Sequence, residues 1–365
     1  MNQNKISIII PTFNAEKTIV KAIDSVLNQT YQNFELIIVN DGSSDKSYEI
    51  IEQYAHQDDR IILVNQRNQG VSKARNNGLN IATGSYITFV DSDDYICPDF
   101  CSKMIEKIKE TNADIIKCTY RTEWENGDGD NWYFSLGGCE YFSKDFIQTS
   151  VISSLLGLSN HNLVRWLNGE DLNAYYFACT TCYKKELIEQ YNLHFNENLK
   201  IGEDLIFNLM AFYYAKNLAI INEPLYRWVN NSSSMTRKQD IKLNRYKLDC
   251  IKERQYLCNE FKLGEEYHQC YRNQAIMLGL YQIKYLSLLG KEYTFKDMLE
   301  INQVSKFKVC VPKYAIKMLH SMNKVSIKKQ FIDENSIKLV TDNIYSSEKI
   351  RTNIKINHKL SDVRY

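Results

Sequence analysis

The stretch Ser85-Tyr86-Ile87-Thr88-Phe89-Val90-Asp91-Ser92-Asp93-Asp94 decides the fold. An apolar run suited to a buried parallel strand stops abruptly in three carboxylates within four residues. Strand side chains alternate faces, so Asp91 and Asp93 are expected to point the same way just past the strand's carboxyl end. In open α/β sheets that edge is where ligands bind. Clustered carboxylates repel one another unless a cation sits among them, and hard oxygen donors favour Mg²⁺ or Mn²⁺. The cluster Asp91, Asp93 and Asp94 therefore reads as a metal site that holds a phosphate. The same four residues are also good turn and capping chemistry, and Asp99 after Pro98 can start the next helix. The surrounding chain has to decide between the two.

Upstream of this stretch the pattern repeats. Lys5 to Ile10 reads as a short buried strand broken by Pro11-Thr12-Phe13-Asn14, and Asn14 can cap a helix carrying Ile19, Ala22, Ile23, Val26 and Leu27 at helical spacing. Phe34 to Val39 is a second strand, ending in Asn40-Asp41-Gly42-Ser43-Ser44-Asp45, with a helix face of Tyr48, Ile50, Ile51 and Tyr54 after it. Arg60 to Val64 is a third strand, and Asn68-Gln69-Gly70 leads into a helix from Val71 to about Ala82 that Gly84 ends. Strands alternating with helices argue for right-handed βαβ units in a mostly parallel, doubly wound sheet of α/β class. Ile105 to Cys118 adds a further helix-to-strand step.

Downstream the periodicity weakens. Tyr120 to Gly138, with Trp124, Trp132 and Tyr133, suits a long loop or hairpin with exposed aromatics of the kind that stack on sugars, or else the core of a small subdomain. Phe142 to Leu156 and Val164 to Leu172 look helical. A second acidic signature, Gly202-Glu203-Asp204, precedes Leu205, Ile206, Leu209, Met210 and Phe212, which places its carboxylates at a helix N-terminus. Leu218 to Ile221 resembles a strand, and Pro224 to Trp228 precedes a polar run, Asn230 to Ser234. From about Asp240 the pattern is helical to the end, which sets the expected boundary between residues 1–236 and a helical region, 237–365.

Composition agrees with a folded chain of one large domain plus an appendage, or of two domains: 365 residues, 44% hydrophobic and 12% aromatic. A formal net charge of +1 offers no signal for nucleic acid. Residues 301–365 hold thirteen Lys and Arg against five Asp and Glu, a balance of +8, which leaves −7 for the rest. Such a basic tail on an acidic body suits a membrane leaflet as partner, or a second copy of the chain through these helices. The N-terminus lacks the apolar core of a signal peptide and no run is long enough to span a bilayer, so a cytoplasmic location is expected. Ten scattered cysteines then read as free thiols, Cys179 and Cys182 included.

Four strand ends thus converge on one edge of the sheet, carrying Pro11-Thr12-Phe13-Asn14, Asp41-Gly42-Ser43, Arg67 to Arg75, and Asp91 to Asp94. For a nucleoside diphosphate held through a metal, Phe13 can lie on the base and Asp41 can accept its imide N–H, while Lys73 and Arg75 neutralise phosphate.

At this point the sequence resembles the family 2 inverting glycosyltransferases of the GT-A fold, especially bacterial enzymes that build surface polysaccharides. The resemblance rests on Ile8 to Asn14, Ser25 to Thr30, Val39 to Asp45, Gly70 to Asn76, Asp91-Ser92-Asp93-Asp94 and Gly202-Glu203-Asp204, in the family's order over roughly the first 215 residues. It implies a GT-A catalytic domain and a UDP-sugar donor, with Asp41 near uracil, Asp91 and Ser92 on the ribose side, and Asp93, supported by Asp94, as the ligand of Mn²⁺ or Mg²⁺. Asp204 is then the expected general base, with Glu203 beside it, and Arg227 with Ser232 to Arg237 the candidate contact to the diphosphate. Asn40 departs from the usual acidic residue before Asp41 and puts a secondary nucleotide contact in doubt. The basic C-terminal region, resting on a membrane surface, would suit a glycan or polyprenol-linked saccharide acceptor at the inner face of the plasma membrane. Two alternatives stay beside it: a sugar-phosphate nucleotidyltransferase, which should carry a Gly-rich basic loop after the first strand, and a nucleotide-sugar-binding module without catalysis.

Overall fold

The structure, a computed structural model, describes residues 4–124, 127–133, 140–152, 155, 177–230, 241–268 and 270–271. They fall in two compact units, one within Met1–Leu155 and Asn173–Gln239, the other within Leu156–Leu172 and Asp240–Tyr365. The expected boundary near 236 lies among residues outside the described set, as do Ser232 to Arg237, Val164 to Leu172 and all of 301–365.

The first unit is a ten-stranded mixed sheet ordered β3-β2-β1-β4-β9-β6-β10-β5, with β7 paired to β6 and β8 to β10. Its first half is the parallel, doubly wound array expected from sequence: β1 (Ile6–Thr12), α1 (Ile19–Leu27), β2 (Phe34–Asp41), α2 (Ser47–Ala55), β3 (Ile61–Gln66), α3 (Val71–Ile81) and β4 (Tyr86–Phe89). Every residue of β1 and β2 is buried, which is why they read as unbroken Ile and Val runs rather than alternating ones. Helix α3 lies so close to β1 that a Cβ at Gly78 would meet Ile9 Cγ2 at 2.5 Å. A larger residue there would overpack the contact at a cost of about 1–3 kcal/mol.

The second half departs from the expected pattern. After β5 (Tyr95–Ile96) and α4 (Phe100–Thr111), β6 (Ile115–Trp124) does not join β4, because β9 (Thr181–Lys184) runs antiparallel between them and takes the free edge of each. β6 turns into β7 (Gly129–Asn131), so the Trp-rich segment is a hairpin. β8 (Tyr141–Ser143) leads into a helical turn, Lys144–Phe146, and a π-helical one, Ile147–Ile152. Then come α5 (Lys185–Gln190), α6 (Glu203–Tyr214) and β10 (Asn217–Asn230), which continues through Pro224 by two register shifts and is far longer than Leu218 to Ile221. An aromatic block seats α6: Phe207 stacks on Phe195 at 4.2 Å, and Phe89 of β4 meets both edge-on. In the second unit α7 (Ile241–Glu260) carries buried Leu248, Ile251, Leu257 and Cys258.

Candidate functional site

The carboxyl ends of β1, β2 and β4 and the N-termini of α3 and α6 meet at one rim. At its centre stands Arg75 of α3, whose side chain is 4% exposed. Its Nη2 donates to Asp91 Oδ1 at 2.8 Å, and its Nη1 donates to Asp204 Oδ1 at 2.5 Å and to Glu203 Oε1 at 3.0 Å. The guanidinium also lies over the Phe195 ring, 5.2 Å from its centroid. One cation thus faces three carboxylates drawn from two elements far apart in sequence.

Gly202, at φ +81, turns the chain into α6, so that Glu203 and Asp204 occupy its first turn. Asp204 Oδ2 accepts the Ala178 N–H at 3.3 Å. Burial raises the Asp204 carboxyl, Arg75 draws it down, and Glu203 and Asp91 push it up again, so it settles at about 7. A carboxylate at that value suits a general base near neutral pH.

The turn after β4 closes with Asp94 N–H donating to Asp91 O at 3.0 Å, with Ser92 half-buried within it. Asp94 itself is buried, and its two oxygens accept the Tyr226 hydroxyl at 2.7 Å and the Val229 N–H at 2.8 Å. Burial, with Asp91 and Asp93 alongside, pushes its carboxyl well above the usual range.

The nucleotide-side loops knit to each other. Asn14 N–H donates to Ser43 Oγ at 3.0 Å, and Asn14 Oδ1 accepts Ser44 N–H at 2.8 Å. Gly42, at φ +69, lies where a Cβ would be 2.7 Å from Asn68 N. Asp41 accepts from Gln66 Nε2 at 2.7 Å and from the Gln69 and Gly70 N–H groups, each at 2.8 Å. Phe13 stays 49% exposed at the end of β1. The buried hydroxyls of Thr12 and Ser72, at the end of β1 and the start of α3, have no hydrogen-bond partner among the described residues.

Residues 7–153 match glycosyl transferase family 2. Glycosyltransferase GlyG of Streptococcus pneumoniae is 30% identical over 236 residues, 64% of this chain and 73% of that protein. The chain belongs to glycosyl transferase family 2. This family 2 chain is also 32% identical to glycosyltransferase GlyA of S. pneumoniae, over 83% of its own length and 42% of GlyA, and 32% identical to the glycosyltransferase EpsJ of Bacillus subtilis, over 63% and 62%. It therefore spans less than two thirds of those two relatives. Among solved structures, Staphylococcus aureus TarS 1–349 in complex with UDP-GlcNAc has a TM-score of 0.60 at 21% identity, covering 82% of this chain and 79% of that one. The likeness gives the family 2 chain the fold of TarS, in agreement with the GT-A architecture expected from sequence.

Against that family background, several of the contacts expected from sequence are redirected. Arg75 does not stand open to a phosphate, because its fork is committed to Asp91, Glu203 and Asp204. Both oxygens of Asp94 accept hydrogen bonds that tie the β4 turn to β10. Arg227 donates to Pro224 O and lies 3.7 Å from Glu123 Oε1, held to its own sheet edge. Lys73 pairs with Glu197 at 3.1 Å. Asn14 caps no helix; it sits at φ +49 and α1 begins only at Ile19. Pro11 is an interior residue of β1, in register with Val39.

Among the described residues no group of three or more His, Cys, Asp or Glu is arranged to hold a metal. Asp91 and Asp93 are the other two carboxylates of the turn after β4, Asp91 with one oxygen on Arg75 Nη2. Two hard carboxylates fit Mg²⁺ or Mn²⁺ of the kind completed by water and substrate phosphates, not an all-protein cage. Tyr226, Ala178 and Val229 went unseen in the sequence: two act through backbone N–H groups, which leave no trace in side-chain chemistry, and Tyr226 hides in an aromatic run. The described cysteines are free thiols. No helix among the described residues is long and apolar enough to cross a membrane.

Proposed function

We propose that this family 2 glycosyltransferase moves a hexosyl or N-acetylhexosaminyl group from a UDP-sugar to a hydroxyl of a glycan or lipid-linked saccharide, by a single displacement that inverts the anomeric centre. The observation that carries the reading is Asp204: a carboxylate raised to about 7, fixed by Arg75 and the Ala178 N–H beside Asp91. TarS in complex with UDP-GlcNAc supports a UDP-linked donor on the same fold.

Asp204 accepts the proton of the acceptor hydroxyl as that oxygen attacks the anomeric carbon and the bond to UDP breaks. Glu203 shares Arg75 with it and keeps the guanidinium oriented. Phe13 stacks on the base, while Asp41 orders the Gln69-Gly70 turn that frames it. Asp91 and Asp93 would hold a divalent cation, which when bound supplies Lewis-acid stabilisation of the leaving diphosphate. A second carboxylic acid, as in hydrolases, is not required. Trp132, 38% exposed and stacked on Tyr120, supports a saccharide acceptor on the β6 side.

The test is UDP release from a panel of UDP-sugars with and without Mn²⁺. Asp93→Ala is expected to abolish Mn²⁺-dependent UDP binding; undiminished binding would contradict the cation assignment. Attachment at the inner membrane face through residues 301–365 is part of the proposal, and co-sedimentation with anionic vesicles that survives deletion of that region would refute it.

A further inference from the structure

Lys117 of β6 is fully buried, yet no carboxylate lies within ion-pair distance of it among the described residues. Its Nζ donates instead to three neutral oxygens: Phe177 O at 2.9 Å, Thr180 Oγ1 at 2.6 Å and Thr181 Oγ1 at 2.9 Å. Both hydroxyls in turn donate to Phe177 O, and Thr181 N–H donates to Ala178 O at 3.1 Å. The amine is thus the hub of the 177–181 turn, and that turn presents the Ala178 N–H to Asp204 Oδ2. We propose that Lys117 is a positioning residue for the transfer reaction, holding Asp204 at the reacting centre through the 177–181 turn. The inference rests on the reading of Asp204 as general base.

Stability alone does not account for an ammonium here. Burying a charge whose hydrogen-bond partners are all neutral is costly, and desolvation brings this lysine down to about 8, although the nearby Asp204 charge opposes the fall. A methionine would fill the same channel without that penalty. What methionine cannot do is draw a carbonyl and two hydroxyls to one point, which fixes the direction of the next N–H along the chain.

The experiment compares Lys117→Met, Thr180→Val and Asp204→Asn in the full chain. Readouts are thermal melting, UDP affinity with Mn²⁺, and kcat and donor KM for UDP release from UDP-glucose or UDP-N-acetylglucosamine. Lys117→Met is expected to melt cooperatively, to bind UDP within about twofold of the parent, and to lose about 10–100-fold in kcat with donor KM little changed. Thr180→Val, which removes one of the three acceptors, should show the same split with a loss of about 3–10-fold. Full kcat in Lys117→Met alongside an inactive Asp204→Asn overturns the positioning role and leaves the base standing. Normal turnover in Asp204→Asn overturns the base itself. UDP affinity falling in parallel with kcat would make Lys117 merely structural. If Lys117→Met does not fold, Thr180→Val decides, and unchanged kcat there refutes the proposal.

Discussion

The two ends of the parallel half-sheet carry the same kinds of residue to opposite effect. At the amino ends of β1 and β2, one carboxylate, Glu35, receives Lys5 Nζ at 2.6 Å, Ser7 Oγ at 2.5 Å, Thr83 N–H at 2.6 Å and Gly84 N–H at 3.2 Å. Burial pushes that carboxyl up, but the hydrogen bonds from Lys5, Ser7 and Thr83 outweigh it and leave it at about 2. At the carboxyl ends the ratio reverses: one guanidinium serves Asp91, Glu203 and Asp204. Burial wins there, and Asp204 rises to about 7. Several donors on one carboxylate against one guanidinium shared by three, together with the heavier desolvation of Asp204, separate the end that holds the sheet together from the end poised for a ligand and a proton.

The largest way to break the comparison is Asp204→Asn. Turnover should fall by about two to four orders of magnitude while UDP binding with Mn²⁺ stays within about twofold. The same variant should melt higher than the parent at about pH 8. Its folded-state value lies above the ordinary 3.8, so the cost of ionising it in the fold accumulates as pH rises from 3.8 to about 7 and is fully present above that.

Next is Arg75→Met, which strands three carboxylates. A loss of about 3–5 kcal/mol in denaturant unfolding is expected, since removing one partner of a buried ionic network leaves charges uncompensated. Glu35→Gln comes after it, with a loss of about 2–3 kcal/mol at neutral pH. Glu35 is depressed on folding, so its contribution is present above 4.5 and fades as pH falls toward about 2. The parent's acid unfolding should therefore shift in this variant, whereas Asp204→Asn leaves it nearly in place. Smallest is Trp132→Ala: acceptor KM should rise by about 3–10-fold with donor KM unchanged.

The overcrowded end was legible in outline because carboxylates after an apolar run are visible in sequence. Asp91, Asp93 and Asp94 could be named as one acidic cluster and Glu203 with Asp204 as a second, and the placement of α6 followed from Leu205, Ile206 and Leu209. Which carboxylate faces which donor was not legible. Asp94 and Asp93 are chemically identical neighbours, and Asp94 takes its place from the Tyr226 hydroxyl and Val229 N–H, more than 130 residues on. Arg75 read as a phosphate ligand because its acidic partners lie up to 129 residues away. Strand β9 was invisible for another reason. Thr181-Cys182-Tyr183-Lys184 is four residues with no apolar alternation, and it is a strand only because β4 and β6 leave a slot for it.

The charge imbalance at the rim is tested most directly by the pH dependence of kcat/KM for UDP release, which reports the free enzyme's essential base. The rate is expected to climb with pH along a limb centred near 7, where Asp204 gives up its proton, and Asp204→Asn should flatten that limb. A limb centred instead near 3.8, the value of an ordinary aspartate, would mean that Arg75 balances its neighbours fully and that the two ends of the sheet do not differ in the way their donors imply.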